Sequence, residues 1–217
     1  MVQINGIVNE YIHVEKPDQE AVPSRQFDIS KIDFDLLSRE FAHTRRKNLL
    51  LRDLDELVNQ QLSKMLFANP RRIDYYDRYQ EIIDAYNAEQ NRATIEKTFM
   101  DLMELANSLD TEQQRYVREG FSSDEELSVY DLLFSENLTK QEIETIKKVS
   151  VDLLTKIKQQ IAKLDHWTDK QETKAIVDNL IRNTLWQELP NSYDVNDIQT
   201  YQKKIYEYVY MRYPEVA

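Results

Sequence analysis

The residues of this chain best suited to metal or acid–base chemistry are its three histidines and its many carboxylates. His13, His43 and His166 are far apart in the sequence, and no two of them form a helical i, i+4 pair. A metal site would therefore draw its carboxylates from separate helices, and the absence of cysteine removes thiolate zinc sites. Asp165-His166-Trp167 is better interpreted as a corner between helices with a packed indole than as a catalytic dyad. We predict no metal site, bound cofactor or catalytic residue here.

A second pattern to test is Pro-Asp followed by Glu-x-Lys, in which two carboxylates and a lysine hold a divalent ion. The residues of such a site converge on adjacent strands. The letters occur here as Pro17-Asp18 and Glu172-Thr-Lys174. One half stands in a segment broken by prolines, and the other stands in a helical pattern far along the chain. We therefore interpret the match as a coincidence.

The stretch DLLSREFAHTRRKN, Asp35 to Asn48, contains four basic side chains, and two more follow Pro70. Most of them are predicted to lie in the first turn of a helix, where positive charge opposes the helix macrodipole. Charge placed against local preference indicates a phosphate or acidic protein partner. The alternative is a solvated face on which neighbouring carboxylates balance the charge. The candidate contact residues are Arg45, Arg46, Lys47, Arg71 and Arg72.

Tyrosines are concentrated near the end of the chain, where Tyr206, Tyr208 and Tyr210 alternate with other residues. Side chains two positions apart do not share a helix face, so at least one of these phenols points away from the core. Exposed tyrosine is favoured at protein interfaces because its ring is apolar and its tip is polar. Stacking on single-stranded nucleic acid would also require a basic groove. We therefore predict that the surplus tyrosines belong to a protein interface.

Glycine content and charge exclude several classes of site. Gly6 and Gly120 are the only glycines, whereas a phosphate-binding loop needs several close together. The formal net charge is -11, which opposes binding to nucleic acid except through a local basic face. The mean hydropathy is -0.68, and no apolar run approaches the roughly 20 residues that span a bilayer. We predict a cytoplasmic protein with no membrane contact, in keeping with the lack of cysteine.

Apolar spacing predicts an all-α fold, an irregular multi-helix bundle. Residues 1–33 are the exception, because Pro17 and Pro23 interrupt any period, and we interpret them as a linker leaving a larger body that precedes residue 1. Four helices are predicted in the first half. The first covers 34–42, and the second is capped by Thr44 and stops before Asn69-Pro70. The third starts at Pro70 and carries Ile73 to Tyr86 in its apolar stripe, and the fourth runs from near Thr94 to Gly120.

The second half of the chain carries the clearest helix signals. Ser123 with Glu126 and Thr139 with Glu142 have the spacing of capping boxes, each predicted to start a helix. Further helices are predicted after the corner at 165–168, with a stripe that includes Ile176, and after Asp194. We predict that 34–120 and 121–217 form two subbundles.

Four stretches together resemble the carboxy-terminal helical region of type I restriction enzyme R subunits. They are FDLLSREFAHTRRKNLLLRDLDEL at 34–57, VYDLLF at 129–134, DHWTDK at 165–170 and NTLWQELPNSYDVNDIQTYQKKIYEYVYMRY at 183–213. The resemblance covers most of 27–217 in the family's order, and it rests on order and extent because no single stretch is a chemical fingerprint.

The resemblance implies that the nuclease and motor domains, with their ATP and Mg²⁺, lie upstream of residue 1. It also implies that the R subunit joins methyltransferase (modification) and specificity subunits, with DNA translocation preceding cleavage. None of the family's catalytic motifs falls on this chain. The favoured hypothesis is a non-catalytic docking module for that complex. The alternatives are a DNA-contacting domain that uses the basic residues and a stand-alone hydrolase, for which we expect no activity.

Overall fold

The computed structural model describes residues 33–89 and 91–214, and the predicted linker 1–33 lies outside this part except for Asp33. The described residues form α-helices and one 3-10 turn without any strand, which confirms the predicted all-α class. None of these helices has the length and apolar character needed to cross a bilayer. The helices are α1 (Phe34–His43), α2 (Lys47–Ala68), α3 (Ile73–Ala88), α4 (Arg92–Gln113), α5 (Arg115–Arg118), α6 (Asp124–Leu133), α7 (Lys140–Ile161), α8 (Gln171–Glu188) and α9 (Val195–Arg212), and the 3-10 turn is Pro70–Arg72.

Helices α1 to α4 pack around one apolar core, and we call them the N-terminal unit. The rings of Phe41 and Phe99 stack at its centre, with centroids 3.6 Å apart and planes 5° from parallel. The start of α2 lies beside the start of α4, and α3 packs against α4 in the opposite direction. The hydroxyl of Tyr79 on α3 donates to Asp55 on α2 at 2.8 Å, which fixes the register of that pair.

Helices α6 to α9 pack around a second apolar core, and we call them the C-terminal unit. Its longest helix, α7, buries Ile146, Leu153 and Ile157 completely. The predicted corner after α7 is confirmed, because Trp167 is 1% exposed and its Nε1 donates to the carbonyl of Tyr213 at 2.6 Å. That bond ties the corner to the end of α9.

Between the two cores lies a polar seam that joins the end of α2, the 3-10 turn and the end of α4 to α5 and α6. Most of its side chains are buried, and their bonds connect residues up to 62 positions apart in the sequence. The seam consists of Asn69, Arg72, Glu112, Arg115, Asp124, Ser128 and Asp131.

The helix ends confirm most of the predicted caps. Thr139 and Glu142 form the predicted capping box, with both reciprocal bonds present. Ser123 caps α6 as predicted, although Glu126 accepts from the amide of Ser122 rather than from Ser123 itself. Gly120 has φ +82°, the left-handed conformation that glycine adopts easily after a helix.

Three sequence predictions about the helices are wrong. Thr44 does not cap α2, because its hydroxyl accepts from the amide of Arg46 in a local turn and the helix begins only at Lys47. The helix predicted to continue to Gly120 breaks at Gln114. Ile73 and Ile176, placed in apolar stripes, are 45% and 42% exposed, since each lies off the buried face of its helix.

Candidate interaction surfaces

The five basic residues predicted to contact a partner do not form one face. Arg45, Arg46 and Lys47 lie at the start of α2, and Arg71 and Arg72 lie just beyond its end. Because α2 has 22 residues, the two groups are separated by about 33 Å along the helix axis. A single partner surface would have to follow the whole length of α2 to meet both.

The group at the start of α2 joins a residue of α4 in a feature that we call the basic end: Arg45, Arg46, Lys47 and Arg92. Lys47 Nζ lies 2.9 Å from the carboxylate of Glu96, and Arg92 Nε approaches the same carboxylate at 3.2 Å. The bonds from Lys47 and Arg92 lower the pKa of Glu96. Arg45 and Arg46 are exposed, and no carboxylate in the described part of the chain pairs with either of them.

The two arginines beyond the end of α2 differ in burial. Arg71 is exposed, whereas Arg72 is only 4% exposed and belongs to the seam. Its guanidinium donates to Glu112 at 3.0 Å and to both oxygens of Asp124 at 3.0 and 2.6 Å. Burial opposes the charge, but the bonds to the two carboxylates prevail and raise the pKa of Arg72. The structure thus corrects the sequence expectation for Arg72, whose donors face carboxylates of the same chain.

Tyr206, Tyr208 and Tyr210 of α9 also differ in exposure. Tyr208 is 2% exposed and packs in the second core, so it is not available to a partner in this structure. Tyr206 is half-buried and Tyr210 is 38% exposed. Both rings meet Trp167 edge-on, with centroids 6.2 and 5.8 Å away. The buried indole therefore holds these two phenols in place at the surface.

Exposed apolar side chains are concentrated on α8 and α9. Among the described residues, eleven large apolar side chains are exposed, and five belong to these two helices. A bond of 2.8 Å from Gln202 Nε2 to Asp178 Oδ1 joins the helices in antiparallel order. The five residues are distributed along the two helices, and we call them together the α8–α9 hairpin surface: Ile176, Trp186, Val195, Tyr210 and Met211.

Trp186 is the largest member of this surface that sequence reasoning missed, and Val195 and Met211 were missed as well. It is 50% exposed, whereas Ile181 and Leu185 beside it are completely buried. A helix turns by about 100° per residue, so a side chain directly after the buried Leu185 is carried off the core face. That offset, together with the rarity of exposed tryptophan, is the signal in the sequence that would have found it.

The residues considered for metal chemistry remain scattered where the structure describes them. Within 33–89 and 91–214, no three His, Asp or Glu side chains converge as a metal site requires. Glu40-x-x-His43 has the ligand spacing used by di-iron helical bundles, but both residues are exposed on α1. Glu10-x-x-His13 repeats the spacing and, like Pro17-Asp18, lies outside the described residues. His166 is exposed at the corner, with φ 44°.

Comparison with known proteins places this helical array in a family. Residues 17–213 match a family model described as type I restriction enzyme HindI endonuclease subunit-like, C-terminal. The match spans both units and the seam between them. No curated protein and no solved structure matches the chain. The chain therefore belongs to the family of C-terminal regions of HindI-like type I restriction enzyme endonuclease subunits.

Proposed function

We propose that this chain is the assembly region of a type I restriction endonuclease subunit. In this role it performs no catalysis and docks the ATP-dependent translocase and nuclease subunit onto the methyltransferase and specificity subunits. The family supplies the setting. The observation that carries the docking role is the α8–α9 hairpin surface, with a half-exposed tryptophan among five exposed apolar side chains.

The hairpin is suited to docking because its opposite side is firmly anchored. Val177, Ile181 and Leu185 of α8 and Ile205 and Val209 of α9 are all completely buried. A rigid support lowers the entropy lost on binding, so the exposed side chains arrive in nearly their bound positions. Tryptophan and tyrosine are also the residues most often found to dominate interface energies.

Trp186→Ala is expected to weaken binding of the chain to a complex of methyltransferase and specificity subunits. Truncation of an aromatic side chain that dominates an interface costs about 2 kcal/mol or more, so the Kd should rise about 30-fold. Titration calorimetry with the purified chain and the purified complex measures this change directly.

Met100→Ala is the matched control, because Met100 is 56% exposed but lies on α4 in the other unit. Its binding should equal that of the unaltered chain, and circular dichroism should show the same helix content for both variants. Equal affinity for the unaltered chain and Trp186→Ala would reject the hairpin as the docking surface, as would an equal loss in both variants.

DNA contact through the basic end is a second candidate function. The observation in its favour is that Arg45 and Arg46 are exposed without a carboxylate partner among the described residues. Phosphate contacts require such free cations. The net charge of -11 acts against this function, so any contact must be local.

The double substitution Arg45→Gln and Arg46→Gln tests the second candidate. If both arginines meet phosphates, the slope of log K against log salt should become shallower by about 0.9 for each lost contact. Fluorescence anisotropy with a duplex oligonucleotide between about 50 and 200 mM salt gives this slope. Arg71→Gln, at the far end of α2, is the control and should leave the slope unchanged. An unchanged slope in the double variant rules out contact at the basic end.

A further inference from the structure

The two units of the chain have separate apolar interiors. The buried apolar residues form one cluster between 41 and 109 and another between 121 and 209. Each unit therefore contains the burial that stabilises its own helices. Between the two cores lie the polar seam and an exposed contact, that of Arg212 on α9 with the ring of Phe67 on α2. The inference rests on this order, in which charged groups separate two apolar cores.

Arg72 is the central contact of the seam. It stands at the end of the 3-10 turn, bonds Glu112 within its own unit, and reaches across to Asp124 at the start of α6. The bond to Asp124 uses two guanidinium nitrogens and both carboxylate oxygens, so it fixes both the distance and the relative orientation of the two units.

A second set of contacts surrounds Asp131 on α6. Asn69 Nδ2 donates to Asp131 at 2.6 Å, and Arg115 pairs with the same carboxylate. Ser128 Oγ donates to the carbonyl of Ala68 at 3.0 Å, which satisfies the end of α2. Burial raises the pKa of Asp131, and this effect exceeds the opposing influence of Arg115 and Asn69. The closed seam therefore carries a desolvation cost.

The free energy needed to open the polar seam differs from the free energy needed to open an apolar interface. Charged side chains regain water when they separate, and this hydration offsets much of the lost pairing. The two apolar cores would stay covered. The covalent connection between the units passes through α5, a four-residue helix bounded by the break at Gln114 and by the left-handed Gly120. These two points can absorb a rotation without disturbing the long helices.

We propose that the seam is a latched hinge, in which Arg72 holds two rigid helical units in one orientation and its release lets them swing apart with both cores intact. This proposal goes beyond the docking function and does not depend on it. The closed arrangement is the one described above, and the open one exposes charged groups rather than apolar surface.

A distance measurement between the units tests the hinge. The chain contains no cysteine, so Lys97→Cys on α4 and Asn179→Cys on α8 introduce two unique sites for spin labels. Both positions are exposed. Pulsed electron paramagnetic resonance should give one narrow distribution of distances between the two labels in the otherwise unaltered chain. Addition of Arg72→Met should produce a second population at a different distance, while Arg71→Met, which alters the exposed neighbour, should leave the distribution narrow.

Hydrogen exchange on the same proteins distinguishes hinge motion from unfolding. In Arg72→Met, amides of α4 and α7 should remain as protected as in the unaltered chain, because neither core depends on the latch. If Arg72→Met fails to fold, Asp124→Asn removes the charge partner with little change in size, and the same second population is expected. A narrow distribution in the latch variant overturns the proposal. So does a broad distribution in the unaltered chain, or loss of protection in both units together.

Discussion

Trp167→Ala should destabilise the C-terminal unit by about 3–5 kcal/mol, the usual cost of removing a fully buried large aromatic side chain. The indole is 1% exposed, supports Tyr206 and Tyr210, and ties the corner to the carbonyl of Tyr213. A small domain is stable by only about 5–15 kcal/mol in total, so this loss is large. Urea unfolding followed by circular dichroism measures it.

The only other tryptophan, Trp186, is the natural control. It is half-exposed, and Trp186→Ala should change stability by no more than about 0.5 kcal/mol, as is usual for surface substitutions. The two variants should therefore behave oppositely: Trp167→Ala lowers stability, and Trp186→Ala lowers affinity. If both variants lose stability equally, the burial assigned to these two indoles is wrong.

Phe99→Ala should produce a similar loss of about 3–5 kcal/mol in the N-terminal unit. Phe99 is completely buried, and its ring stacks on Phe41 at 3.6 Å. Because the two cores are separate, the loss should be confined to that unit. Hydrogen exchange should show faster exchange in α2 and α4 while α7 keeps its protection.

Phe67→Ala provides the comparison for this prediction. Phe67 is 60% exposed, and Arg212 lies 4.9 Å from its ring centroid. The loss should be below about 1 kcal/mol, the contribution of an exposed cation–π contact. A uniform rise in exchange across both units in Phe99→Ala would mean that the chain unfolds as one cooperative body, in conflict with the hinge.

Local signals in the sequence were sufficient for most of the fold. Thr139 with Glu142 predicted the start of α7 because both capping bonds lie within one helical turn. Gly120 correctly marked a helix end because few other residues adopt a positive φ, although the helix expected to reach it had already broken at Gln114. Thr44 failed because a threonine hydroxyl can serve a short turn as well as a helix end, and spacing does not distinguish these uses.

The seam could not be predicted from the sequence, for a physical reason. Arg71 and Arg72 are identical in type and adjacent, and only the tertiary contacts of Arg72 with Glu112 and Asp124, 40 and 52 residues away, decide which of them is buried. The same limit applies to Tyr208, whose place in the core depends on which side of α9 meets the other helices. The alternating spacing predicted that the three tyrosines would differ in burial, and the packing of α9 against the other helices determined which of them is buried.

The fork that Arg72 makes with Asp124 has a mechanical consequence. Two parallel bonds between planar groups resist sliding, since lateral displacement misaligns both bonds at once, but they extend over only a short distance when the groups are pulled directly apart. Arg72 and Asp124 therefore constrain the sideways position of the two units more tightly than their separation, so the proposed hinge is expected to open rather than to slide.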